Sequence, residues 1–359
     1  MTSRASAGFR VLLAAGFLAA MAIRILFLAG FRGNFDVGAY ATVAGLVRSA
    51  GSPYQAGVPY NYSPVWAFLA AGLSSVSDAL RVPFATLVGA LLIAADAATA
   101  FLLYVLGGRG RRGAGAALLF FANPVSVLTS GHYLQFDNVA ILFLVAAICA
   151  ARSDPPRTWL ASGWLSVSLL VKHIGVFFPP LFFLRGRERR EIRAAATLIP
   201  YAVFAASFAP YWRSWRVLRA QVVEYRGGTE EYGVEMLRSI AGLPGWLPAA
   251  IFLGAVAGAI LAFRTRALPS ACLLLFLVML IFAPGICEYY FVWPIALGSL
   301  YGGAGYFVYT LVVSGFYIGG ALEGLGVPFA HLPGWHGVWW SLVLWLAWEL
   351  RRRDILRSQ

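Results

Sequence analysis

The residues of this chain that could do chemistry fall in four short segments. Asp36 stands in GNFDVGAY. A carboxylate partly withdrawn from water can act as a general base toward a hydroxyl. The same residue type also caps helices and sits in solvated loops. GHYLQFDNVAILF sets His132, Gln135, Asp137 and Asn138 within seven residues. Capping by Asp137 or Asn138 accounts for two of these four. Lys172, the only lysine, lies beside His173 in the apolar run WLASGWLSVSLLVKHIGVFFPPLFFL. A cation at that depth is costly unless an anion pairs with it. The anion is either a protein carboxylate, for which Asp137 is a candidate, or the phosphate of a ligand. GICEYYFVWP adds Glu288 and Tyr289.

Other patterns bound the chemistry further. GSPYQAGVPYNYSPVW is dense in tyrosine and proline. Tyr54, Tyr60 and Tyr62 suit an interfacial belt, and their faces and hydroxyls equally suit a sugar-binding surface. Prolines there predict a loop of fixed shape. No HxxxH, DxD or HExxH spacing supports a metal site, and no glycine-rich phosphate loop opens a helix. Neither a metal nor a nucleotide cofactor is expected. An activated substrate would then arrive through the membrane. Arg24 and Asp96 each fall mid-helix and read as a structural pair, while His331 and His336 flank a late loop and carry little information.

The elements that must position these groups are helices in a bilayer. Hydrophobic residues make up 60% of the 359 and charged residues 12%, with a mean hydropathy of +0.75. Helices satisfy their own backbone polar groups, so an all-α, polytopic integral membrane protein follows. Apolar runs predict spans at 10–31, 83–106, 114–131, 136–151, 159–171, 173–184, 194–211, 239–263, 268–284, 291–304, 306–322 and 338–350. About 10–12 of these should cross, the short ones tilted or broken. The first run has the make-up of a secretory signal, yet it stays apolar to Phe31 and reads as an uncleaved helix. Arginine sets the orientation. With the N-terminus inside, 18 arginines fall in cytoplasmic segments and eight on the other face. Both termini are then cytoplasmic, in a plasma membrane or its equivalent. YSPVWAFLAAGLSSVSD becomes an interfacial or re-entrant helix in an outer loop at 32–82, with further outer loops at 212–238 and 323–337. The net charge of +13 reflects this topology rather than nucleic-acid binding. Cys149, Cys272 and Cys287 are widely spaced and form neither a disulfide framework nor a zinc site. The chain reads as one membrane domain, a module over 1–185 completed by helices over 186–359.

The segments resemble those of the GT-C superfamily of glycosyltransferases, polytopic enzymes that use polyprenyl-phosphate sugars. FDVGAYATVAGLVRSAGSPYQAGVPYNYSPVW is similar to the first luminal loop of the GPI-anchor mannosyltransferase I group. GHYLQFDNVAILF and LLVKHIGVFFPPLFF resemble the H-F-Q-[YF]-N and K-[HQ] segments of dolichyl-phosphate-glucose glucosyltransferases. Glu288, followed by Pro294, resembles their H-E-K-x-x-x-x-P segment, with Cys287 in place of its His and Tyr289 in place of its Lys. The resemblance covers about residues 10–185 well and the rest weakly. It implies a GT-C-like fold with Asp36 as the base that deprotonates an acceptor hydroxyl. Sugar transfer would proceed with inversion, without a required metal. Tyr60, Tyr62, His132, Gln135, Asp137, Asn138, Lys172, His173, Glu288 and Tyr289 would bind substrate. The partners implied are a polyprenyl-phosphate hexose donor, mannose first, and a lipid or cell-envelope glycan acceptor, met among membrane lipids at the extracytoplasmic face. Buried charges and broken helices would also suit a transporter or flippase of lipid-linked sugars. A structural membrane protein with no site would leave the acid-and-tyrosine loop unexplained.

Overall fold

A computed structural model describes residues 7–31, 33–184, 188–224, 232–235, 238, 242, 244–324 and 334–351. His331, Arg226 and parts of the expected outer loops at 212–238 and 323–337 lie outside them. Among the described residues the chain is helical, with no strand. The helices before the late loops are α1 (Ala7–Gly30), α2 (Phe35–Arg48), α3 (Pro64–Leu80), α4 (Phe84–Leu106), α5 (Arg111–Phe121) and α6 (Pro124–Val127). They continue with α7 (Asp137–Ala151), α8 (Thr158–Val171), α9 (Phe178–Phe183), α10 (Arg190–Ser207) and α11 (Trp215–Leu218). Then come α12 (Leu247–Phe263), α13 (Leu268–Phe282), α14 (Ile295–Ser299), α15 (Ala304–Gly324) and α16 (Gly334–Arg351).

Two helices, Gly8–Gly30 and Phe84–Leu106, are long and apolar enough to cross a membrane, or up to four spans if each bent pair counts as one. The bent pairs are Arg111–Phe121 with Pro124–His132, at 49°, and Arg190–Ser207 with Ala209–Val223, at 57°. Each break holds a proline, Pro124 or Pro210, which cannot continue the backbone ladder. Seven further apolar helices run only 10–17 residues. The expected span at 291–304 does not form one helix: a 3-10 turn over Glu288–Val292 and α14 replace it. Apolar side chains face outward along α1, where Leu12, Leu18 and Leu26 are each about 70% exposed. Water would oppose such a surface; the apolar helices mark a membrane protein.

The chain forms two compact units that interleave along the sequence. One comprises Ala15–Leu102 and Thr129–Tyr225, the other Met1–Ala14, Leu103–Leu128 and Arg226–Gln359. In the first unit α7 packs on α8, α8 on α10, and α2 on α3. The α2–α3 contact is built on small residues, Ala44, Ala70 and Ala71, with Val47 and Phe84 around them. Ser63 starts α3 by accepting from the Val65 N–H, with Pro64 at the first helical position. The segment expected as interfacial thus folds as one 17-residue helix. In the second unit Asn123 donates to the Tyr306 hydroxyl at 2.8 Å and to Thr310 at 3.0 Å.

Candidate active site

The sequence left Asp36 in a loop; the structure puts it in the first turn of α2, half-buried. Asn34, not Asp36, is the cap: its Oδ1 accepts from the Val37 N–H at 2.8 Å. Its Nδ2 donates to the Tyr133 carbonyl at 2.7 Å. One side chain therefore starts the helix and ties that start to the 129–136 segment. This segment is irregular. Leu128–His132 forms a π-helical turn, and Leu134, fully buried, has φ +52. The Gln135 N–H then bonds back to the Thr129 carbonyl at 2.9 Å.

Gln135 is fully buried. Its Nε2 donates to Asp36 Oδ2 at 2.6 Å, and its Oε1 accepts from the Tyr40 hydroxyl at 3.1 Å. Tyr40 lies one helical turn after Asp36, on the same face of α2. The sequence expectation was that Gln135 binds substrate; its amide is instead turned to Asp36 and Tyr40. Sequence reasoning also passed over Tyr40, whose i+4 spacing from Asp36 was the available clue.

Aromatic rings cluster around Phe136, the residue after Gln135. Phe136, fully buried, stacks on Trp66 at 3.9 Å and 15°. Tyr62 and Tyr40 meet it edge-on at 4.7 and 5.5 Å. Lys172 sits beyond, its Nζ 5.4 Å from the Phe136 ring centre and 5.5 Å from that of Tyr62. Its anion is Asp137, at 2.6 Å, with both side chains buried. The alternative posed by the sequence is thereby answered by a protein carboxylate. The backbone at Lys172 is extended and separates α8 from the turn at His173–Phe177. A second buried pair, Arg24 with Asp96 at 3.0 Å, forms as expected, and Ser130 Oγ donates to the same carboxylate at 2.6 Å. The first turn of α7 holds Asp137 and the fully buried Asn138 side by side.

Tyr60 is buried, donates to the Ser63 carbonyl and accepts from the Ala67 N–H at 2.9 Å. It thus shapes the loop rather than presenting its hydroxyl. Tyr54 donates to the Tyr62 carbonyl at 2.8 Å and packs against Phe208 and Tyr211. Gln221 Nε2 donates to the Val58 carbonyl at 2.7 Å, so the segment after α10 is fastened to this loop.

A family model for glycosyltransferase family 87 matches residues 60–284, more than half of the chain. The chain belongs to glycosyltransferase family 87. This is a GT-C-type family, so the superfamily resemblance holds, while likeness to the GPI mannosyltransferases in particular is not carried by the match. No curated protein and no solved structure matches.

The family 87 match takes in Tyr60, Tyr62, Trp66, the whole 129–138 segment and Lys172. Asp36 and Tyr40 precede it, and Glu288 and Tyr289 follow it. His132 is half-buried and meets Phe27 and Tyr133 edge-on. His173 has its Nδ1 buried with no hydrogen-bond partner among the described residues. Glu288 and Tyr289 begin the 3-10 turn Glu288–Val292 in the other compact unit from Asp36. There the Glu288 carbonyl accepts from Tyr317 at 2.8 Å. Among the described residues no three His, Cys, Asp or Glu side chains come together as metal ligands would.

Proposed function

We propose that this family 87 member is an inverting hexosyltransferase. It moves a hexose, mannose first, from a polyprenyl-phosphate sugar to a lipid-linked or cell-envelope acceptor at the extracytoplasmic face. The observation that carries this reading is the half-buried Asp36 carboxylate, held at 2.6 Å by Gln135, whose neighbour Phe136 stacks on Trp66. Such a carboxylate is reachable by a hydroxyl and fixed in direction, as a general base must be. Asp36 takes the proton of the acceptor hydroxyl. The acceptor oxygen bonds to the anomeric carbon on the face opposite the phosphate. The bond from that carbon to the phosphate oxygen breaks, and the polyprenyl phosphate leaves with the electron pair. Inversion follows from opposite-face attack.

Charge developing on the leaving phosphate calls for a preorganised cation. Lys172 is ill-suited, being paired with Asp137 beneath two rings. The exposed Arg213 and Arg216 support that role better: neither has a carboxylate partner among the described residues. Their segment carries the stacked, exposed Trp212 and Trp215, suited to a membrane surface.

The test pairs purified wild type with Asp36→Asn, using polyprenyl-phosphate-linked radiolabelled mannose or glucose and a membrane lipid extract as acceptor. Transfer should fall by about 10²–10⁴-fold in a variant that melts like wild type. Equal transfer by both would remove Asp36 from the mechanism. Arg213→Gln/Arg216→Gln should raise KM for the labelled donor; an unchanged KM would return the phosphate to other cations. Flipping of the labelled lipid in liposomes without any transfer would instead make the protein a transporter.

A further inference from the structure

Three observations meet at Gln135. Its amide bridges two residues of α2, accepting from Tyr40 at 3.1 Å and donating to Asp36 at 2.6 Å. It is fully buried, so its side chain cannot swing away into solvent. It follows Leu134, a non-glycine residue in the left-handed region at φ +52. That conformation persists only where the surroundings over-determine it. Here the surroundings are the Gln135 N–H bond to Thr129 and the Asn34 bond to the Tyr133 carbonyl.

The Asp36 carboxylate, which can only accept, decides which way the amide faces. A glutamine amide reversed by 180° would aim its carbonyl oxygen at the Asp36 carboxylate and its NH2 at Tyr40. Two acceptors would then face each other at 2.6 Å. The NH2 end is thereby committed to Asp36, and the Tyr40 hydroxyl holds the other end by donating to Oε1. The charged groups of the same cluster, Asp137 and Lys172, are occupied with each other.

We infer that Gln135 is the positioning residue of Asp36, and that Tyr40 acts behind it by holding the amide oxygen in place. This rests on Asp36 being the base of the reaction. Gln135 does not touch substrate; it holds one carboxylate oxygen so that the carboxylate meets the acceptor hydroxyl in a single orientation.

Three variants of the full chain in lipid nanodiscs test this, with two readouts. Gln135→Leu removes the donor, Gln135→Glu keeps the shape but sets a carboxylate against Asp36, and Tyr40→Phe keeps the ring without the hydroxyl. The first readout needs no sugar donor: the rate at which a water-soluble carbodiimide labels Asp36 at fixed neutral pH, by peptide mass spectrometry. The carboxyl oxygen adds to the carbodiimide carbon as the carboxyl's proton passes to the nitrogen, and two adjoining carboxylates share a proton. Labelling should be fastest in Gln135→Glu, intermediate in Gln135→Leu, and only slightly faster than wild type in Tyr40→Phe. The second readout is transfer from the labelled polyprenyl-phosphate hexose. Its kcat should fall about ten- to hundredfold in Gln135→Leu and about fivefold in Tyr40→Phe, with KM little changed, as hydrogen bonds to charged and neutral groups respectively imply. Labelling that is the same in all four proteins, each melting normally, overturns the inference. So does a changed labelling rate with unchanged kcat. Full transfer by Asp36→Asn is a different failure: it removes the base and leaves the labelling order standing.

Discussion

At the scale of single residues, the chain separates charges that work from charges that hold. Lys172 is the clearest case. From sequence its anion was either a phosphate or a protein carboxylate; the structure pairs it with Asp137 at 2.6 Å, at 2% exposure. Breaking a buried pair by removing one partner leaves an uncompensated charge, at about 3–5 kcal/mol, whereas replacing both by apolar residues is often neutral. Lys172→Met alone should therefore lower the melting temperature sharply, and Lys172→Met/Asp137→Leu should restore most of it. Thermal melts of the single and double variants check this. A double variant as unstable as the single would mean that the pair answers to a further group. Asp36 differs in being half-buried, with one carboxylate oxygen accepting from the Gln135 amide.

At the scale of elements, two irregular segments build the site. The first is the loop at 52–62. Burial pushes the Tyr54 hydroxyl well above its ordinary 10.0, with Tyr60 and Tyr211 adding to the effect. Burial raises Tyr60 as well, partly opposed by the Ala67 N–H. Below pH 10 both tyrosines are neutral whether folded or not, and their contribution is fully present. As pH climbs past 10 the unfolded chain ionises them while the folded chain does not, so stability is lost. The melting temperature should drop above pH 10, and Tyr54→Phe should reduce the drop. The second segment is 129–136, tied to α2 by Asn34. Asn34→Ala removes both the cap and the bond to Tyr133. It should cost about 1 kcal/mol of stability, and transfer should fall with it because α2 carries Asp36. Unchanged transfer would free the site from this tie.

At the scale of the molecule, arginine distribution proposes both termini in the cytoplasm and the 32–82 segment outside. Single cysteines in a cysteine-free background test this with a membrane-impermeant maleimide on intact cells. Gln55→Cys, on an exposed loop position, should label from outside, and Arg112→Cys, in the arginine-rich first turn of α5, should not. The reverse pattern would put Asp36 on the cytoplasmic side and overturn the extracytoplasmic site. The background removes Cys149, Cys272 and Cys287, all of which are free thiols.

What the sequence determined by itself is what local physics encodes. Apolar runs marked α1, α4, α7 and α8 to within a few residues, because a helix in lipid is specified by its own composition. The Arg24–Asp96 pair was legible because two opposite charges at membrane depth have few other partners. The tyrosine and proline punctuation marked the outer loop, and Asp36 stood out by position. The sequence expected short interfacial helices in the first outer loop but did not place α2, since FDVGAYATVAGLVR mixes two glycines and β-branched residues into a short run. Only the tertiary structure decided which groups meet. Gln135 and Asp36 are 99 residues apart and Lys172 and Asp137 are 35 apart. No periodicity reports contacts at such separations. They exist because α2 is anchored by Asn34 to a strained turn, and because α7 and α8 pack closely enough to bury a charge pair. The same packing turned Tyr60 from a candidate sugar contact into a loop anchor. Whether a polar side chain faces a ligand or its own fold depends on which partner reaches it first, and that is a property of the folded chain.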